Sequence, residues 1–142
     1  MFACLVASAT VAYPPAAPNA ISRVSPAVQG DDLQITWGSW SAMDAATGKI
    51  LWQTADPNPG IDFGAVSVAN GVVYAGSQYS SGFMYALDAA TGKIHWSFQS
   101  GGSIEDGPSI VGNFVYWGSG YRIGTNNNKV YAFSIPNPAQ RN

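Results

Sequence analysis

Few side chains in this 142-residue chain are equipped for chemistry. The acids are Asp31, Asp32, Asp44, Asp56, Asp62, Asp88, Glu105 and Asp106, and the single histidine and cysteine are His95 and Cys4. Cys4 has no second thiol to pair with inside the chain. His95 lies between Ile94 and Trp96 on a run that reads as a strand. It therefore faces away from both neighbours, towards the surface, with no evident group to orient it as an acid or base. Carboxylates suit a hard cation, which takes about six to eight oxygen ligands when large and divalent. Glu105 and Asp106 are adjacent in "GSIEDGPS". On a strand they would face opposite sides, but on a loop both could reach one site. Asp62 occupies the corresponding stretch upstream, "DPNPGIDFG". Arg122, ahead of Asn126, Asn127 and Asn128, could grip a carboxylate-bearing ligand. Trp117, beside Tyr116, either stacks on a flat ligand or fills a core.

Charge narrows the classes. Six Lys plus Arg stand against eight Asp plus Glu, a formal net charge of -2, and only 10% of residues are charged. No basic patch is available for nucleic acid. With 46% hydrophobic residues the chain has ample material for a core, and its surface should be neutral and polar. The opening "MFACLVASATVAYPPAAP" is too short an apolar run to cross a bilayer as a helix. It resembles the apolar part of a secretion signal, with "ASA" at Ala7 to Ala9, although the first basic residue is Arg23. Residues 1–24, with their Pro/Ala-rich "YPPAAPNA", are expected to be unstructured or signal-like.

Elements to position these groups come from a repeat. "AMDAATGKILW" (Ala42 to Trp52) returns as "ALDAATGKIHW" (Ala86 to Trp96), so Trp52 and Trp96 lie 44 residues apart. "VSVANGVVYAGS" returns as "PSIVGNFVYWGS", and "MYALD" returns as "VYAFS". Ser25 to Ser39 is a degenerate upstream copy. Within a unit, Asn70-Gly71 between apolar runs marks a hairpin. Asp88 to Gly92 marks a second turn, with Asp88 and Thr91 bonding its backbone and Gly92 supplying a positive φ. Asp44, Thr47 and Gly48 do the same in the other copy. Four short antiparallel strands per unit of about 44 residues predict β-propeller blades, each a sheet that needs a neighbour on its face. The reading is an all-β chain forming an incomplete propeller over residues 25–135, about two full blades plus partial ones, with a tail at 136–142. Four blades, the smallest closed ring, would take about 176 residues.

Both copies satisfy A-x-D-x-x-T-G-K-x-x-W, through Ala42, Asp44, Thr47, Gly48, Lys49 and Trp52, and through Ala86, Asp88, Thr91, Gly92, Lys93 and Trp96. This resembles the tryptophan-docking motif of the pyrroloquinoline quinone (PQQ) repeat family of quinoprotein dehydrogenases, closest in look to polyvinyl-alcohol-dehydrogenase-like proteins. The resemblance implies that Trp52 and Trp96 dock on the glycine turn of a neighbouring blade. It also implies PQQ with calcium as cofactors, with Arg122, Trp117 and Glu105 as the candidate contacts, and a secreted or periplasmic location. The adjacent-cysteine pair that many such enzymes stack on the quinone is absent from this sequence. Three readings follow: part of a PQQ-dependent alcohol dehydrogenase, inactive as an isolated chain; a cofactor-free scaffold for protein partners, as in the outer-membrane-protein assembly lipoprotein; or a remnant without function. Expected partners are further blades of a parent propeller, or a second copy meeting exposed blade faces.

Overall fold

The computed structural model describes residues 4–9 as backbone, and residues 37–120 and 127–134 in full. The Asn70-Gly71 hairpin forms as its sequence requires, with Asn70 at φ 50° and Gly71 at φ 77°. It joins β4 (Ser67–Ala69) to β5 (Val72–Ser77). Next come β6 (Phe83–Asp88) and β7 (Ile94–Gln99), giving a four-stranded antiparallel sheet in the order β4-β5-β6-β7. This is one complete blade.

Two three-stranded sheets flank it. β2 (Ser39–Asp44) and β3 (Ile50–Ala55) form the hairpin that carries the first copy of the repeated phrase. β8 (Ser109–Val111), β9 (Phe114–Ser119) and β10 (Lys129–Ser134) repeat the first three strands of the complete blade. The remaining strand, β1 (Cys4–Ala9), pairs antiparallel with β2, Cys4 opposite Asp44 and Ala9 opposite Ser39. Six residues of the stretch expected to be unstructured or signal-like are thus extended and hydrogen-bonded. They fill the place beside β2 that β5 fills beside β6. The degenerate copy anticipated at Ser25 to Ser39 falls mostly outside the described residues. All three sheets are antiparallel, as the repeat predicts for part of a propeller.

Alternation along each strand sends side chains to two different joints. Val73 and Ala75 on β5, with Tyr85 and Leu87 on β6, face the first sheet and close on Trp40, Ala42 and Trp52. Met84 on β6 faces the other way and joins Ile104, Val115 and Trp117. A sheet buried on both faces needs apolar residues at successive positions, which is why β5 and β6 read as near-continuous apolar runs.

Candidate functional site

The two copies of the repeated phrase fold into the same turn. Asp44 Oδ1 accepts from the Ala46 N–H at 3.1 Å, the Thr47 N–H at 2.8 Å and the Thr47 hydroxyl at 2.8 Å. Asp88 Oδ1 accepts from Ala90, from Thr91 and from the Thr91 hydroxyl at 3.0, 2.8 and 2.8 Å. These bonds favour the ionised form. Both carboxyls are held below the usual range, chiefly by the hydroxyl of Thr47 or Thr91 and then by the same residue's N–H. Gly48 and Gly92 adopt φ of 70° and 72°. The spacing D-x-x-T-G is therefore a self-contained turn in which every polar position has a local partner, and Asp44 and Asp88 are committed to it.

What meets the two turns differs. The Trp52 ring lies flat enough on Gly92 that an added Cβ there would overlap it. Its Nε1–H donates to the Ala89 carbonyl at 3.0 Å, and the Thr54 hydroxyl donates to the Gly92 carbonyl at 2.7 Å. Nothing stands within 4 Å of the corresponding position on Gly48. Trp96 meets no glycine turn among the described residues. It remains 40% exposed, where Trp52 is 7%. It stacks on Phe98 at 6.1 Å and meets Phe133 edge-on at 5.0 Å. The two tryptophans of the repeated phrase thus have different surroundings among the described residues. The reason is local: Trp52 has the second turn beside it, and Trp96 has β10.

The connection from β3 to β4 holds a second constellation. Asp56 and Asp62 are each 1% exposed. Asp56 Oδ1 accepts from the Tyr85 hydroxyl at 3.1 Å, and Asn58 Nδ2 donates to that hydroxyl at 2.7 Å. Burial, then the neighbouring Asp56 charge, push the Asp62 carboxyl up to about 8. The Tyr85 phenol rises for the same two reasons in the same order. Asp62 Oδ1 and Oδ2, Asp56 Oδ2 and Gln78 Oε1 are buried without a donor. Sequence reasoning weighed Asp62 beside Glu105 and Asp106 and did not single out Asp56. The available signal was the pair of acids six residues apart in a stretch with few other polar side chains.

Of the residues expected to contact a cofactor, Trp117 and Glu105 border different clefts. Trp117 is 1% exposed, with its Nε1–H on the Asp106 carbonyl at 2.8 Å and its ring edge-on to Tyr74 at 6.4 Å. It backs an apolar groove of about 530 Å³ between the second and third sheets, shared with Tyr74, Trp96, Val115 and Phe133. His95 lines the rim of that groove and lies 3.6 Å from Asp88. Glu105 and Asp106 border a different, polar cleft of about 240 Å³ with Ser119 and Lys129. Arg122 lies outside the described residues. Among the described residues no group of three or more His, Cys, Asp or Glu gathers around a metal position. No described helix is long and apolar enough to cross a membrane.

Antiparallel blades, a turn that receives a tryptophan from the adjoining sheet and the 44-residue repeat together define a PQQ-repeat β-propeller segment. The chain belongs to the PQQ-repeat family whose model is described as outer membrane protein assembly factor BamB, matched over residues 38–137. Among solved structures it is similar to BamB from Moraxella catarrhalis at 21% identity and TM-score 0.53, covering 68% of this chain and 31% of that one. It is similar to a europium-containing methanol dehydrogenase at 22% identity and TM-score 0.51, covering 67% and 21%. A computationally designed protein, Ika8, matches at 15% identity and TM-score 0.51, covering 68% and 27%. The chain thus spans about a third or less of the length of these three structures. No curated protein matches.

Proposed function

We propose that this chain is a wall-forming segment of a quinoprotein alcohol-dehydrogenase-like propeller, inactive towards alcohols by itself. The reading rests on the separation of Trp117 from Glu105. PQQ is a flat tricarboxylate, so its site needs an aromatic face and cationic donors together. Among the described residues, no Lys or Arg lines the apolar groove that Trp117 backs. The polar cleft sets two carboxylates against the one cation Lys129. Neither fits the quinone. In a parent protein, chemistry would depend on groups outside the described residues, Arg122 among the candidates, and calcium beside the quinone would require ligands from there too. A secreted or periplasmic setting accords with this reading.

The test is a titration of PQQ, with and without calcium, into the purified chain. It follows tryptophan emission and dye-linked alcohol oxidation. The expected outcome is no saturable quenching and no dye reduction. Saturable quenching at micromolar quinone, weakened by Trp117→Phe or Arg122→Ala, would contradict the proposal.

A second reading, a cofactor-free scaffold, is favoured by one observation. The apolar groove stands open beside β10, whose outer edge pairs with no described strand. Further blades or a second copy of the chain would fit there. Concentration-dependent mass in sedimentation distinguishes self-association from a monomer.

A further inference from the structure

All four bare atoms at the first joint are acceptors: Asp56 Oδ2, Asp62 Oδ1, Asp62 Oδ2 and Gln78 Oε1. The backbone holds them together. Gln78 N–H donates to the Ile61 carbonyl, next to Asp62, at 3.1 Å. A Cβ on Gly60 would fall 2.6 Å from Ser77 Oγ and 2.9 Å from Asp56 Oδ2, and one on Gly38 would overlap the Asp62 carboxyl. Only glycines leave room for the two acids. Among the described residues no Lys, Arg or His pairs with either acid, the only such pair being His95 with Asp88. One proton shared between the two carboxyls would serve two oxygens and leave the others bare. Buried acceptors without donors are costly, and a buried charge normally pairs or binds a metal.

The next joint supplies the contrast. Asp56 N–H donates to the Gly38 carbonyl at 2.9 Å just as Ser100 N–H donates to Gly82 at 3.0 Å. Gln78 N–H meets the Ile61 carbonyl just as Gly120 N–H meets the Ser103 carbonyl. Ser100 thus stands in the place of Asp56, and Ile104 in the place of Asp62. There the Ser100 hydroxyl donates to the Gly102 carbonyl, and Ile104 packs against Gly76. The fold closes this joint with neutral residues, so the acids are not a requirement of blade packing.

We propose that Asp56 and Asp62 bind one hard divalent cation of the calcium class between the first two sheets, with the bare Oε1 of Gln78, whose backbone is bonded next to Asp62, as a further candidate donor. Two carboxylates balance its charge, oxygen-only donors match its preference, and the remaining positions fall to backbone carbonyls or water. The ion would fasten a blade joint and lies apart from both clefts discussed for the quinone, so the inference is independent of that reading.

The test needs no quinone. Chelated protein is titrated with terbium, a calcium substitute whose emission Tyr85 and Trp40, 5.1 Å apart at their centroids, would sensitise. Thermal melts follow with calcium and with magnesium. The proposal expects saturable terbium emission competed by calcium, and a rise of several degrees in Tm at saturating calcium. Both should be lost in Asp62→Asn and in Asp56→Asn, which keep the side-chain shape. Wild-type protein that melts cooperatively yet shows neither effect overturns it, leaving a proton-sharing pair. Terbium emission that persists in both variants also overturns it, by placing the ion elsewhere, such as the Glu105 and Asp106 cleft.

Discussion

The joint between the first and second sheets and the joint between the second and third are built from nearly the same sequence, and they are closed differently. At the first, an indole lies on a glycine turn, and two acids are buried elsewhere in the same joint. At the second, the matching indole is 40% exposed, and Ser100 and Ile104 replace the acids. The comparison separates what the repeated phrase does alone from what it does with a neighbour. Alone, it makes a turn, and both copies make it with the same hydrogen bonds. With a neighbour, the turn becomes a seat for tryptophan, and only Gly92 is so occupied among the described residues.

The largest effect should come from the docked indole. Trp52→Ala is expected to cost about 3–5 kcal/mol, the usual loss for a buried aromatic. Trp96→Ala should cost well under half of that, because much of its ring already meets water. Urea denaturation of both variants checks the order, and equal losses would break the comparison.

Gly92→Ala and Gly48→Ala form the next pair. Each places a Cβ at positive φ, which costs about 1 kcal/mol. Only at Gly92 does the Cβ also strike the Trp52 ring, so its loss should exceed that of Gly48→Ala by about 1–3 kcal/mol.

The acids distinguish the joints by pH. Asp62 holds its proton up to about 8 in the folded chain, against 3.8 for an ordinary Asp. Between those values the folded state binds more protons than the unfolded one, so stability falls as pH rises. In chelator, Tm should decline from pH 5 to pH 8 and flatten above, while Asp62→Asn should remove that decline. The second joint has no equivalent acid and should contribute none. A wild-type profile parallel to that of Asp62→Asn would contradict the buried-acid account.

The smallest effect belongs to the turns themselves. Asp44→Ala and Asp88→Ala should each lower Tm only slightly, since each removes solvent-exposed hydrogen bonds. Both folded pKa values are lowered, so this contribution is present above pH 4 and is lost as pH falls through the carboxylate range. The two variants should behave alike except that Asp88→Ala also removes the contact with His95, 3.6 Å away.

Much of this architecture was legible because it is local. Asn70-Gly71, the D-x-x-T-G turn and the alternation in β5 and β6 are each set by residues within a few positions of one another. That Trp52 should meet a glycine turn was an expectation from the resemblance of its motif. Three features were not. The fate of Trp96 depends on what lies beside β7, which the identical motif cannot reveal. The pairing of β1 with β2 joins residues from about thirty to forty positions apart, Ala9 with Ser39 and Cys4 with Asp44, and β1 lies in an apolar, unpatterned stretch. The cluster of Asp56, Asp62, Tyr85 and Gln78 forms across two sheets and an irregular connection, so the six-residue spacing of the two acids hints at it without showing Tyr85 or Gln78. Trp117 carried two readings in the sequence. Its ring packs with Met84, Ile104 and Val115 and its Nε1–H donates to the Asp106 carbonyl, while Glu105 borders a different cleft.

The most direct test of the central claim, that the repeated phrase seats the tryptophan of an adjoining blade, is a double-mutant cycle on Trp52 and Gly92. Gly92→Ala is measured by urea denaturation in wild type and in Trp52→Ala, with Gly48→Ala as the reference. The account predicts that without the indole the cost of Gly92→Ala drops to that of Gly48→Ala, a coupling of about 1–3 kcal/mol. If the two changes add, with Gly92→Ala costing the same whether or not Trp52 is present, the seat is not formed and the account fails.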